Sequence, residues 1–271
     1  MGTPELDGQI ITFYLQHMVA LNVAWEGPDG VPQRDAYACF VLEVRGEWFL
    51  VTAGHSLADL YSALPKYRRV QCSLFDAWHK RASRVPVPFP LLEAKHFLVD
   101  EDGLDLGVVH LESHFRRMLA ANGIRAFDEK AWRHPPDDML LRYALIGFPE
   151  QFIERQVTSS GSVQLSVNPT LIYLERVDPP PEMSKPFPCF YGKLPDRLYN
   201  EHTGASLDEM TGFSGGPILG FSVNNEGQMK YFLVALQSAW RRDLRVLRGP
   251  LMSVVAGELD REMRRSDSTG S

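Results

Sequence analysis

Thr211-Gly212-Phe213-Ser214-Gly215-Gly216-Pro217 sets a serine among glycines, where the backbone can turn sharply and a carbonyl carbon can approach the hydroxyl. The run that follows, 217–222, is short, apolar and glycine-punctuated, which reads as a strand rather than a helix. Upstream, 38–44 and 47–53 are two β-branched and aromatic runs around Arg45-Gly46, the pattern of a hairpin with a two-residue turn. Runs at 104–111, 140–148, 161–167 and 170–177 have strand length, and Asn224-Asn225-Glu226-Gly227 turns the chain into 230–236. Many short strands with short connections predict an all-β architecture. Two helices are expected: 113–122, closed by Gly123, and 253–265, where Val254, Val255, Leu259 and Met263 form an apolar stripe. Residues 132–138 resist regular structure and mark a boundary between two lobes, 10–130 and 138–247, followed by a C-terminal helix within 250–265. Residues 177–200 carry six prolines and read as a long surface loop, a candidate mobile element, and 266–271 reads as a frayed tail.

The chain has 271 residues, enough for a two-lobed unit with a sizeable core. Apolar residues at 44% and charged ones at 23% are globular values, which argue against disorder, collagen and coiled coil. Lys plus Arg is 28 against 34 Asp plus Glu, for a net charge of −6, so no basic footprint for nucleic acid is present. The first residues are acidic where a secretory leader is basic, and Thr12, Gln16, His17 and Asn22 interrupt the apolar stretch 10–25. Neither a membrane span nor a myristoylation motif is expected. Cys39, Cys72 and Cys189 are odd in number and lack C-x-x-C spacing, the usage of a compartment that keeps thiols reduced; a cytoplasmic location is expected.

Ser214 satisfies G-x-S-x-G, the nucleophile elbow of α/β-hydrolases, but there the histidine follows the serine, and residues 215–271 contain no histidine. A serine hydroxyl needs a base, and the base a carboxylate. His55 follows the strand-like 48–51 directly, in Thr52-Ala53-Gly54-His55, and Asp105 is a lone carboxylate entering the apolar run Leu104-Asp105-Leu106-Gly107-Val108-Val109. Asp100 and Asp102, in a polar turn, are weaker candidates for the acid.

These three blocks, in this order and 50 and then 109 residues apart, resemble the active-site blocks of the chymotrypsin-like (trypsin-like) serine peptidases, of a bacterial, intracellular type. The resemblance covers about residues 15–245 and implies two antiparallel six-stranded β-barrels with the site between them, in one peptidase domain spanning 1–265. It implies a serine endopeptidase in which Ser214 attacks, His55 is the base, Asp105 orients it, and the N–H groups of Gly212 and Ser214 form the oxyanion hole. Ile146-Gly147-Phe148 is similar to the family's Gly-aromatic dipeptide. Ser238, Ala239 and Trp240 match the edge that pairs with an extended peptide, and Thr211 and Asp208 fall in the substrate pocket, Asp208 at the place that selects Arg or Lys before the cut. Phe213 replaces the aspartate that binds a trimmed N-terminus, Ser56 replaces a cysteine, and Met210 stands where a bracing cysteine is usual, so neither N-terminal activation nor disulfides are expected.

Against that placement, Asp208 and Glu209 read more readily as solvated loop carboxylates than as a charged pocket floor. His110 and His114 are four apart but lack a third ligand for zinc, so neither metal nor organic cofactor is expected. His202 reads as a loop residue, and Cys189 as a small buried side chain. The expected partner is a protein or peptide substrate, and restraint of the enzyme is expected from either narrow substrate choice or a regulatory protein that completes the site. The alternative reading is a catalytically silent peptide-binding or scaffold module on the same fold, and an esterase is a third.

Overall fold

The computed structural model describes residues 10–76, 78, 85–101, 103–133, 140, 142–157, 163–198, 206–207, 209–223, 226 and 228–269. Its first half runs β1 Met18–Glu26, β2 Pro32–Val44, β3 Glu47–Thr52, α1 Gly54–Ala63, β4 Arg68–Phe75, β5 Val87–Pro88, β6 His96–Glu101, β7 Leu104–Leu111, α2 Ser113–Ala121 and α3 Glu129–Trp132. The second half runs β8 Arg142–Gly147, β9 Ile153–Val157, β10 Val163–Val167, β11 Thr170–Arg176, β12 Cys189–Lys193, β13 Pro217–Val223, β14 Met229–Leu236, β15 Ala239–Arg241, β16 Val246–Pro250 and α4 Met252–Thr269.

The protein is mostly β, as its sequence predicts. Two seven-stranded antiparallel sheets, ordered β5-β4-β1-β2-β3-β7-β6 and β14-β13-β8-β11-β12-β16-β15, hold all the long strands except the β9–β10 hairpin. Seven rather than six strands stand in each because the two-residue β5 and three-residue β15 extend the edges. The second sheet curls back on itself through a bridge between Ala235 and Leu251.

The predicted hairpin is β2–β3. Val44 pairs with Glu47, and Arg45 and Gly46 both take positive φ, 53° and 79°, the turn whose twist matches that of the flanking strands. Glycine adopts that φ without a Cβ penalty; arginine accepts it because the turn is two residues long.

The strands of one lobe alternate between two cores. Cys39, Val41, Leu50, Val109 and Leu111 face a core belonging to the first sheet, closed by Leu57 and Leu60 of α1. Phe40, Leu42, Val51 and Val108 face the opposite way, into a core shared with Ala144, Ile146 and Phe148 of the second sheet region and with Met252, Val255 and Leu259 of α4. This shared core joins the two sheets and seats the terminal helix.

Several expectations change. The proline-rich stretch 177–200 is not one surface loop. It contains β12, paired with β11 and β16, and Phe190 within it is fully buried. All its prolines fall outside Cys189–Lys193, so none removes a ladder N–H. The terminal helix continues through Thr269, past the expected end at 265. Near the expected lobe boundary, α3 is capped by the Asp128 side chain, which accepts from the Ala131 N–H at 3.0 Å, while residues 134–139 lie outside the described residues. So do 161–162 of the expected strand 161–167 and 224, 225 and 227 of the expected turn. No helix among the described residues is long and apolar enough to cross a membrane.

Candidate active site

His55 stands in the first turn of α1, immediately after β3 ends at Thr52. Gly54 is what lets that turn lie against β6 and β7: a Cβ there would sit 2.2 Å from the Val99 carbonyl oxygen and 2.8 Å from Asp105 Oδ1. Asp105 is the second residue of β7 and is 7% exposed. Its Oδ1 accepts the backbone N–H of His55 at 2.8 Å, and its Oδ2 lies 2.7 Å from the ring Nδ1. A carboxylate only accepts, so Nδ1 carries a proton in this contact, and in the neutral ring the lone pair is then on Nε2. The imidazole, 40% exposed, faces a cleft while the carboxylate behind it, 9% exposed, is sheltered. Of the weaker candidates, Asp100 lies in β6 with its Cα opposite Asp105, and Asp102 is outside the described residues.

Ser214 sits in the turn that precedes β13. Gly212 and Gly215 both have φ of +90°, and at each a Cβ would collide with backbone: 2.2 Å from the Phe148 carbonyl oxygen at Gly212, and 2.2 Å from the Ala38 carbonyl oxygen at Gly215. The Gly215 Cβ would also meet Thr52 Oγ1 at 2.3 Å. The serine turn of the second lobe thus rests on the strand end that leads to His55. Phe213 anchors the turn from beneath. It is fully buried, and it packs so closely on Gly147 that a Cβ there would fall 2.5 Å from its ring, which accounts for the Gly147-Phe148 pair.

The hydrogen bonds of this turn leave a pattern of donors. Phe213 N–H donates to Met210 O, Gly215 N–H to Gln237 O and Gly216 N–H to Phe213 O, at 3.2, 2.9 and 2.8 Å. Among the described residues, the N–H groups of Gly212 and Ser214 donate to no backbone carbonyl. Two backbone donors flanking a hydroxyl, in a turn held by its neighbours, can receive an oxyanion without reorganising.

His55, Ser214, Gly212, Thr211, Met210 and Trp240 line one cleft of about 360 Å³. Trp240 lies on β15, which pairs with β16 on one side and is the last strand of its sheet, so that among the described residues no strand pairs with its other edge. Ala239 and Trp240 are half-buried on this edge, whereas Ser238 is buried and donates its N–H to Arg248 O at 3.1 Å. Asp208 lies outside the described residues; its neighbour Glu209 pairs with Arg242 at 3.2 Å on the surface.

The opposite wall carries residues that no sequence motif announces. Arg155 on β9 reaches Asp35 on β2 at 2.9 Å and Glu150 at 3.6 Å, and all three line the cleft beside Tyr37. Burial, and then the nearby Asp35, pushes the Tyr37 hydroxyl up to about 12. Asp35 and Arg155 are 120 residues apart in sequence, so only the folded chain juxtaposes them.

The remaining titratable candidates go elsewhere. His110 Nε2 lies 3.1 Å from Glu47, His114 lies edge-on to Phe115, and no group of three His, Cys, Asp or Glu among the described residues could hold a metal. His202 is outside the described residues. Cys39 is fully buried, its thiol pushed up to about 12 by burial, and is no rival nucleophile. Cys189 is half-buried rather than buried, its thiol donating to Gly103 O at 3.3 Å.

No protein-family model and no curated protein matches this chain. Among solved structures it is similar to Deg5, at 15% identity and a TM-score of 0.47 over 94% of this chain and 93% of the other. It is also similar to Rv3671c from M. tuberculosis H37Rv, solved as an inactive serine-to-alanine mutant, at 12% identity and 0.46 over 96% and 95%. A third is a Glu endopeptidase solved with MPD, at 12% identity and 0.41 over 90% of each chain.

Proposed function

We propose that the chain is a serine endopeptidase working through Ser214, His55 and Asp105. One observation carries the reading: a sheltered carboxylate holds His55 by both its backbone N–H and its ring Nδ1, in the cleft that Ser214 shares. In this mechanism His55 Nε2 takes the Ser214 proton as Oγ attacks the scissile carbonyl, and returns it to the leaving amine as the C–N bond breaks. The negative oxygen of the tetrahedral intermediate is received by the N–H groups of Gly212 and Ser214. Water then attacks the acyl-enzyme by the same proton route in reverse, releasing the second product and restoring the Ser214 hydroxyl. Asp105 stabilises the imidazolium and fixes its tautomer throughout.

The open edge of β15 fits a substrate that adds itself to the sheet as an extended strand, with Ala239 and Trp240 supplying main-chain bonds. A preference for Arg or Lys before the cut rests on the place of Asp208, six residues ahead of Ser214. Its location in the cytoplasm rests on three free thiols.

The test is covalent. A fluorophosphonate probe should label the purified chain at Ser214, and Ser214→Ala should abolish labelling with the melting temperature unchanged. Failure to label a folded wild-type chain would favour a silent peptide-binding module. Labelling and ester hydrolysis without cleavage of any peptide library would favour an esterase. A library cleaved only after hydrophobic or acidic residues would end the role given to Asp208.

A further inference from the structure

An apolar opening lies away from the Ser214 cleft, between the β6–β7 edge of the first sheet and α4. It encloses about 700 Å³, within the range of small-molecule sites. Phe49, Leu106, Val255 and Leu259 form a buried floor. Leu104, Phe187 and Met263 are half-buried at the mouth, and Phe97 stands 43% exposed over it. Leu104 and Leu106 flank Asp105 along β7, so the hollow lies on the face of that strand opposite His55.

Its charged rim is uneven in a telling way. Each carboxylate there already has a partner: Glu47 lies 3.1 Å from His110 Nε2, Glu258 has Arg261 and Glu262 has Arg265. Lys95, on the same rim, forms no ion pair among the described residues. An exposed aromatic over a deep aliphatic floor calls for a hydrocarbon, and an unpaired ammonium at its edge calls for an anionic head.

We propose that this hollow binds a free single-chain carboxylate amphiphile, its alkyl chain between β7 and α4 and its carboxylate at Lys95. The site is independent of the peptidase reading, because its occupancy is read by binding alone.

The experiment titrates the full chain by calorimetry with octanoate, decanoate and dodecanoate below their micellar concentrations, with decanol and decylamine as head-group controls. Affinity should rise about fourfold per added methylene, the factor expected for burying one CH2. Lys95→Glu, at an exposed position, should weaken decanoate about tenfold, leave decanol unchanged and bring decylamine up to match it. Met263→Trp, at the mouth, should block all three chains while the protein still unfolds cooperatively. Chain-length independence, equal decanoate binding by both variants, or decylamine binding the wild type as well as decanoate would each overturn the proposal. So would sedimentation with phosphatidylserine vesicles in the absence of any binding to soluble decanoate.

Discussion

Replacing Asp105 by asparagine tests the proposed catalytic geometry at its most constrained point. The two carboxylate oxygens serve different donors: Oδ1 takes the backbone N–H of His55 at 2.8 Å, and Oδ2 faces the ring Nδ1 at 2.7 Å. An asparagine can place its oxygen on only one of them. The backbone N–H is a donor in every state of the protein, so the amide oxygen must stay there and the NH2 must face Nδ1. The imidazole can satisfy that group only by moving its own proton to Nε2, which removes the lone pair aimed at the cleft. The fold keeps its contacts, since the amide nearly matches the carboxylate in shape. We therefore expect the fluorophosphonate labelling rate and kcat to fall by roughly 10⁴, about 5 kcal/mol in barrier, the scale of the wrong-tautomer effect in such triads. The melting temperature should move by only a few degrees. Nitrogen-15 NMR of the histidine ring, in protein labelled at histidine, should report Nδ1 protonated in the wild type and Nε2 protonated in the variant. A variant within tenfold of wild-type rate, or an unchanged tautomer, would refute this account.

Two further perturbations probe other parts of the structure. Gly212→Ala forces a side chain onto a φ of +90° and to within 2.2 Å of the Phe148 carbonyl oxygen, so the 212 peptide must move. Loss of one oxyanion donor should lower kcat by about 10² to 10³, and an unaltered kcat in a folded variant would remove Gly212 from that role. His17 is buried between the lobes, its Nδ1 donating to Arg125 O at 2.7 Å and its Nε2 accepting from the Tyr231 hydroxyl at 3.1 Å. Burial is the main cause that lowers its pKa from 6.5 to about 4. The unfolded chain therefore binds the extra proton between those values, so stability is complete above about pH 6.5 and falls as pH drops toward 4. The loss should be about 2 kcal/mol by about pH 5 and about 3 kcal/mol in all. Urea unfolding of wild type and His17→Gln at neutral and acid pH measures it, and an equal acid loss in both would show that His17 is not responsible.

Much of this molecule is written locally. The Arg45-Gly46 turn, the span of β7 and the start of α2 at Ser113 were legible because period, propensity and turn chemistry act over a few residues. The candidate triad was legible for a different reason: small residues around His55 and Ser214 mark places where backbone passes close to backbone, and Gly54, Gly212 and Gly215 each fill that role. β12 was not legible, since its five residues lie among prolines and earn strand geometry only from β11 and β16 on either side. The strand β1 was likewise hidden by Gln16, His17 and Asn22, although it is a central strand of the first sheet.

What the chain of letters determined on its own was the all-β class, the order of the three chemical blocks and the glycines beside them. What only the tertiary structure decided was which distant surfaces meet. Gly215 rests against Ala38 and Thr52, Arg155 crosses to Asp35, and α4 closes over Leu104 and Leu106 to leave an apolar hollow. Such contacts depend on how two sheets and a helix pack around a shared core. The free energy that selects them is spread over the whole buried surface, so even where a glycine marks a close approach the sequence does not name the surface it meets.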